Sequence, residues 1–117
     1  MNYILYIILL IVGCLLIVGC TTHSSYETMI INTPTTQCDM CKKTIESNLL
    51  SAKGVNSAVV DMINFKTVIQ YDSNMVSLKD LELIIAKSGY QANKVKADSI
   101  AYKNIPMCCR LAKDRSE

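Results

Sequence analysis

The period of the apolar residues changes at Cys41, and that change limits the folds open to the chain. Upstream, Tyr26-Glu27-Thr28-Met29-Ile30-Ile31 is rich in β-branched and aromatic residues and predicts a strand. Asn32-Thr33-Pro34 stops it, because proline cannot donate to a ladder. Downstream, Cys41, Ile45, Leu49 and Ala52 recur every three or four residues, with Lys42, Lys43, Glu46 and Ser47 on the other face. That spacing predicts an amphipathic helix, and Gly54 follows as its C-terminal stop. Between the two runs lies Thr33 to Lys42, which holds Cys38 and Cys41 at Cys-x-x-Cys spacing.

The remaining elements follow in short steps. Val55 to Ile63 predicts a second strand with Ala58, Val60 and Met62 facing the core, and Asn64-Phe65-Lys66 a turn. Lys66 to Tyr71 is a third strand with Thr67, Ile69 and Tyr71 on one face. Ser77 is a good N-cap, and Asp80 three residues on makes an approximate capping box. Leu78, Leu81, Ile84 and Ile85 form the apolar stripe of a second helix, Gly89 ends it, and Tyr90 to Val95 is expected to be a fourth strand. The order β-α-β-β-α-β is the ferredoxin-like pattern: an α+β fold, a four-stranded antiparallel sheet with two helices on one face.

Met1 to Gly19 contains no charged side chain, so the 50% hydrophobic composition is inflated by a leader, and residues 26–96 have the balance of an ordinary small domain. A net charge of +2 without a basic run gives no reason to expect nucleic acid. Tyr3 to Val18 is a little short for a transmembrane helix of about 20 residues and long for a signal-peptide core. Its end, Ile17-Val18-Gly19-Cys20, resembles the lipobox of bacterial lipoproteins. That resemblance implies a signal peptide over residues 1–19, lipidation at Cys20, a tether over residues 20–25, and a place in the bacterial cell envelope, membrane-anchored and outside the cytoplasm. Ile11-Val12-Gly13-Cys14 matches the same pattern, and an uncleaved anchor is the other alternative. His23 in the tether is read as a polar residue.

The six cysteines fall in three pairs: Cys14 and Cys20, Cys38 and Cys41, Cys108 and Cys109. None lies between Thr44 and Pro106, so disulfides are not expected to hold the fold together. The chemistry concentrates at Cys38 and Cys41. Thiolate is the ligand and the nucleophile. A thiol at a helix N-terminus feels about half a positive charge from the macrodipole, and Lys42 and Lys43 add to it. Two soft thiolates suit Cu(I), Hg(II) or Zn(II); two-coordinate ions need no more, whereas structural Zn(II) takes four ligands. Asp39 is read as a helix N-terminal charge and Met40 as a packing or surface residue.

The cysteine loop in this topology resembles the heavy-metal-associated domains of copper chaperones, metal-pumping ATPases and periplasmic mercury-binding proteins. The likeness runs through Lys53-Gly54-Val55, Val60-Asp61, Ile69-Gln70-Tyr71-Asp72 and Leu81 to Gly89-Tyr90-Gln91-Ala92. It implies that Cys38 and Cys41 are the metal ligands and that Tyr90 shields the metal loop; the residues alone equally allow Tyr90 to be plain core. The chain departs from the family before Cys38. Thr35-Thr36-Gln37 stands where Gly-Met-Thr or Gly-Met-Asp is usual, so a looser loop is expected.

The tail, residues 97–117, is polar except for Ile105-Pro106-Met107-Cys108-Cys109. Adjacent Cα atoms sit too close for an unstrained disulfide between Cys108 and Cys109. With Met107 they are a candidate auxiliary metal site, or thiols that pair with the first two. The sequence thus points to a non-enzymatic, membrane-anchored metal-binding protein. Its expected partners are the membrane, through the lipid, and a metal transporter or another thiol-bearing metal-binding protein. The alternatives are a thiol–disulfide oxidoreductase and a metal-independent sensor or adaptor for a membrane pump.

Overall fold

The computed structural model of the chain describes residues 1–15 and 25–115. Helix α1 (Asn2–Leu15) covers most of the apolar leader, and among the described residues no helix is long and apolar enough to cross a membrane. The lipobox-like run to Cys20, and His23 in the tether, lie outside the described residues.

The domain begins with β1 (Tyr26–Asn32), followed by α2 (Asp39–Leu50), β2 (Val55–Asp61), β3 (Lys66–Asp72) and α3 (Leu78–Lys87). The strands pair antiparallel in the order β1-β3-β2, with Ile31 opposite Thr67, Met29 opposite Ile69 and Ala58 opposite Ile69 on the other side. Alternation along each strand sends Ile31, Ala58, Val60, Thr67, Ile69 and Tyr71 into the core, while Ile30, Val59 and Val68 stay exposed on the opposite face. Helices α2 and α3 cover the inner face through Cys41, Ile45, Leu49, Leu81 and Ile85, each fully buried. Burying one such aliphatic side chain contributes about 1.5–3 kcal/mol, so this stripe is a main source of stability. Ser77 caps α3 with the full reciprocal box: its hydroxyl accepts from the Asp80 N–H, and the Asp80 carboxylate accepts from the Ser77 N–H at 2.9 Å.

The expected fourth strand is not formed, and among the described residues the sheet has three strands. Asn93 adopts a positive φ of 52°, which folds Ala92 to Val95 into a tight turn closed by N–H···O bonds of 3.0 and 2.8 Å. Asn93 alone meets the end of β1: its N–H donates to the Asn32 carbonyl at 2.8 Å, and its side-chain oxygen accepts from the Asn32 N–H at 2.9 Å. Asparagine tolerates the left-handed region, so the chain turns here instead of extending a ladder.

The tail does not trail away as its polarity suggests. A short helix α4 (Ser99–Asn104) is capped by Asp98, and two 3-10 turns follow, Met107–Cys109 and Ala112–Asp114. Ile105 and Cys109 join the hydrophobic core, 8% and 2% exposed. The seat is made by Gly89, whose φ is +100°; a Cβ there would lie 2.7 Å from Ile105 Cγ2 and 3.3 Å from the Ala101 carbonyl oxygen. Only glycine offers both the backbone conformation and the space.

Candidate metal centre

The loop between β1 and α2 is held by hydroxyls. Thr33 and Thr36 are fully buried. The Thr36 hydroxyl donates to the Thr33 carbonyl at 3.1 Å, and the Thr33 and Thr67 hydroxyls bond across to β3 at 3.0 Å. The Thr33 N–H donates to the Phe65 carbonyl at 2.8 Å. Sequence predicts a looser loop; the structure closes it on itself through Thr36 and ties it at two points to β3 and the turn before it. From this loop the chain enters α2 with Cys38 as the N-cap residue, its backbone extended and its carbonyl accepting from the Lys42 N–H at 3.1 Å. Cys41, one turn in, points to the core and is fully buried, while Cys38 is half-buried.

The Sγ atoms of Cys38 and Cys41 are 3.1 Å apart. That is far longer than the 2.03–2.05 Å of a disulfide, so the pair is two free sulfurs. The folded-back tail brings the second pair to the same place. Cys109 Sγ lies 3.4 Å and Cys108 Sγ 3.7 Å from Cys38 Sγ, with 3.9 Å between the two. The sulfurs of Cys38, Cys108 and Cys109 all lie within 4.8 Å of one another. Cys109 is buried and Cys108 exposed. Met107, the third member of the tail candidate, is 45% exposed at the outer side of the turn. Asp39 is exposed in the first turn of α2, in keeping with a helix N-terminal charge, and Met40 is exposed too.

Burial pushes the Cys38 thiol up. Hydrogen bonds with the Cys41 side chain and backbone, then with the Cys109 and Cys108 sulfurs, outweigh it and bring Cys38 down from 9.0 to about 7. Cys109 goes the other way: burial, with Cys41 beside it, raises its thiol well above the ordinary range, and Tyr90 pulls it partly back. The cluster therefore holds one thiol poised to ionise next to a buried one that resists ionisation. Tyr90 is 1% exposed, and its hydroxyl makes no hydrogen bond of ordinary geometry. Burial raises its own pKa, with the sulfurs of Cys109 and Cys41 as its polar neighbours. The Tyr90 ring is core, and its hydroxyl has the sulfurs of Cys109 and Cys41 as neighbours.

The residues that fix the tail carried no recognisable signal. The Tyr102 hydroxyl donates to Asp114 at 2.6 Å and accepts from the Leu111 N–H at 3.0 Å. The Arg115 guanidinium donates to the Cys108 carbonyl at 3.3 Å, and the Asp98 N–H to the Ala86 carbonyl on α3 at 2.9 Å. The one readable cue is Asp98 itself, an N-cap type whose carboxylate accepts from the Ile100 and Ala101 N–H groups.

Comparison with known proteins places this geometry. The copper chaperone CopZ of Staphylococcus haemolyticus (strain JCSC1435) is 36% identical over 61 residues, 52% of this chain and 90% of its own. A solved structure described as the CopZ metallochaperone is 32% identical with a TM-score of 0.55, covering 56% of this chain and 98% of its own. The N-terminal domain of a potential copper-translocating P-type ATPase from Bacillus subtilis, solved in the Cu(I)-loaded state, is 25% identical with a TM-score of 0.56, covering 58% of this chain and 85% of its own. The heavy-metal-associated domain matches residues 30–91, a stretch that includes Cys38, Cys41 and Tyr90 and ends before Cys108 and Cys109. From the middle of β1 to the turn after α3, over half of its length, the chain belongs to the heavy-metal-associated domain family.

Proposed function

We propose that the chain binds a soft heavy-metal ion through the thiolates of Cys38 and Cys41, at a membrane surface outside the cytoplasm, and passes it to a transporter or sequesters it. The observation that carries this reading is the Cys38–Cys41 pair, two free sulfurs 3.1 Å apart at the N-terminus of α2. The helix dipole favours thiolate there, and a pair of soft anions selects a soft cation over Mg(II) or Ca(II). Cu(I) is the first candidate, supported by the copper chaperone and the Cu(I)-loaded ATPase domain among the relatives; Hg(II) and Zn(II) are the others. The ion is cargo, taken up and released by exchange of thiolate ligands, and no bond of a substrate is made or broken. The membrane anchor rests on the lipobox-like Ile17-Val18-Gly19-Cys20 and on two acyl chains giving stable attachment.

The test is Cu(I) titration of the full reduced chain against a chromogenic chelator. One ion per chain is expected, lost in the Cys38→Ser/Cys41→Ser variant; stoichiometric binding that survives in that variant refutes the site. Incorporation of labelled palmitate into the chain, abolished by Cys20→Ala, tests the anchor.

A further inference from the structure

Cys108 and Cys109 lie beyond the matched domain, yet the fold delivers both to Cys38. Their spacing is that of ligands. Four sulfurs at about 2.3 Å from one ion, at tetrahedral angles, are about 3.8 Å apart. The three edges among Cys38, Cys108 and Cys109 are 3.4, 3.7 and 3.9 Å, so these three sulfurs match one face of such a tetrahedron, while Cys41, 3.1 Å from Cys38, lies outside the group of three. Cα spacing disfavours a disulfide within the adjacent pair, and both tail thiols are free in the structure. The delivery is built into the fold. Ile105 fills the hollow over Gly89, Tyr102 clamps Asp114 and Leu111, and Arg115 holds the carbonyl of Cys108. A tail that met the loop by chance would have no such set of ties.

We propose that the C-terminal segment completes the metal centre: Cys108 and Cys109 join Cys38, the exposed-side member of the Cys38–Cys41 pair, on the same soft ion, which gives that ion three sulfurs from one chain. This deepens the reading of Cys38 and Cys41 as a metal site and rests on it. Two consequences follow. An ion that a two-sulfur site would hold loosely is retained, and Zn(II), which takes three protein ligands in open sites, becomes an acceptable guest. The four sulfurs also differ in access. Cys41 and Cys109 are buried, Cys38 is half-buried and Cys108 is exposed. Exchange with a partner therefore starts at Cys108: an incoming thiol gives up its proton and bonds the ion, while the Cys108–metal bond breaks and its thiolate takes up a proton. The tail is a retaining clasp with Cys108 as the ligand that opens.

The experiment uses the full reduced chain, loaded separately with Cu(I) and with Zn(II). X-ray absorption counts the sulfurs on each ion, chelator competition gives affinity, and transfer to a small dithiol gives the release rate. Three sulfurs are expected in the native chain. In Cys108→Ser/Cys109→Ser, Cu(I) is expected to keep two sulfurs and leave faster. Zn(II) affinity should fall by at least the roughly 10–100-fold seen when an outer-shell partner is lost. Cys108→Ser alone, at an exposed position, guards against misfolding and should lose one sulfur. Tyr102→Phe keeps every cysteine but removes the clamp, and should speed release. Equal sulfur counts and affinities in the native chain and the tail variants overturn the clasp while leaving the Cys38–Cys41 site standing. Unchanged Cu(I) binding in Cys38→Ser/Cys41→Ser overturns that site instead.

Discussion

Cys109 Sγ lies 3.4 Å from Cys38 Sγ, although 71 residues separate the two in sequence. Cys109 is therefore both a core residue supplied by the tail and a hydrogen-bonding neighbour of the thiol at the helix N-cap. Packing and chemistry are coupled at this contact, so changes to the seat of the tail should register at the cysteine loop.

The Cys38 thiol should titrate at about 7. Alkylation of the reduced, metal-free chain at Cys38, located by fragment mass spectrometry, should rise through an inflection near that pH and fall away below it, because thiolate is the reacting form. Cys41→Ala should move the inflection up most, since the Cys41 thiol supplies the leading side-chain hydrogen bond, and Cys109→Ala by less. The linked stability has a fixed sign. The folded value lies below the ordinary 9.0, so the Cys38 contribution is present above about 9 and is lost as pH falls through 7. An inflection that stays near 9 in the native chain refutes the assigned hydrogen bonds.

Gly89→Ala should destabilise the chain by about 1–3 kcal/mol, the typical cost of a side chain held in a sparsely populated backbone region. Its Cβ would also press on Ile105 Cγ2 at 2.7 Å, so the tail should lift from its seat. Limited trypsin digestion should then cut at Lys96 and Lys103 faster than in the native chain, with a lower Tm by calorimetry. A matching loss of stability without faster tail cleavage would mean that the strain stays within the turn.

What the sequence revealed and what it hid divide along a physical line. Cys41-Ile45-Leu49, Thr67-Ile69-Tyr71 and the Ser77–Asp80 box were readable because period and capping are local. So was the Cys-x-x-Cys pair, because spacing sets the side of the helix. Asn93 was not: a strand-like run from Tyr90 to Val95 is undone by one residue at φ 52° bonded to the end of β1. Nor was the path of Ile105 to Cys109, a short apolar patch without a period, whose place is chosen by the missing Cβ of Gly89. Thr36 belongs with these, since its burial depends on a carbonyl supplied by Thr33.

Ser77→Ala should cost about 1 kcal/mol at neutral pH through loss of the α3 N-cap. Asp80 accepts from the Ser77 N–H and hydroxyl, and these bonds hold its carboxyl below the ordinary 3.8. A depressed folded value gives stability that is present above the ordinary carboxylate range and disappears as pH falls through the folded value. The Tm difference between native chain and Asp80→Asn should therefore shrink in strong acid. A difference independent of pH would assign the effect to something other than the ionised carboxylate.

Tyr90→Phe should separate the metal-free and metal-bound states. The hydroxyl is buried without a hydrogen bond of ordinary geometry, so removing it deprives the metal-free chain of no such bond. Leaving a buried polar group unsatisfied costs about 1–3 kcal/mol, so the variant should be as stable as the native chain or more so. With an ion bound, the neighbouring sulfurs of Cys109 and Cys41 carry thiolate charge, and the hydroxyl gains acceptors worth about 1.5–3 kcal/mol as charged hydrogen bonds. Cu(I) affinity, measured by chelator competition, should then fall about tenfold or more while the Tm of the metal-free chain stays level or rises. Loss of stability with unchanged affinity would make Tyr90 a packing residue alone.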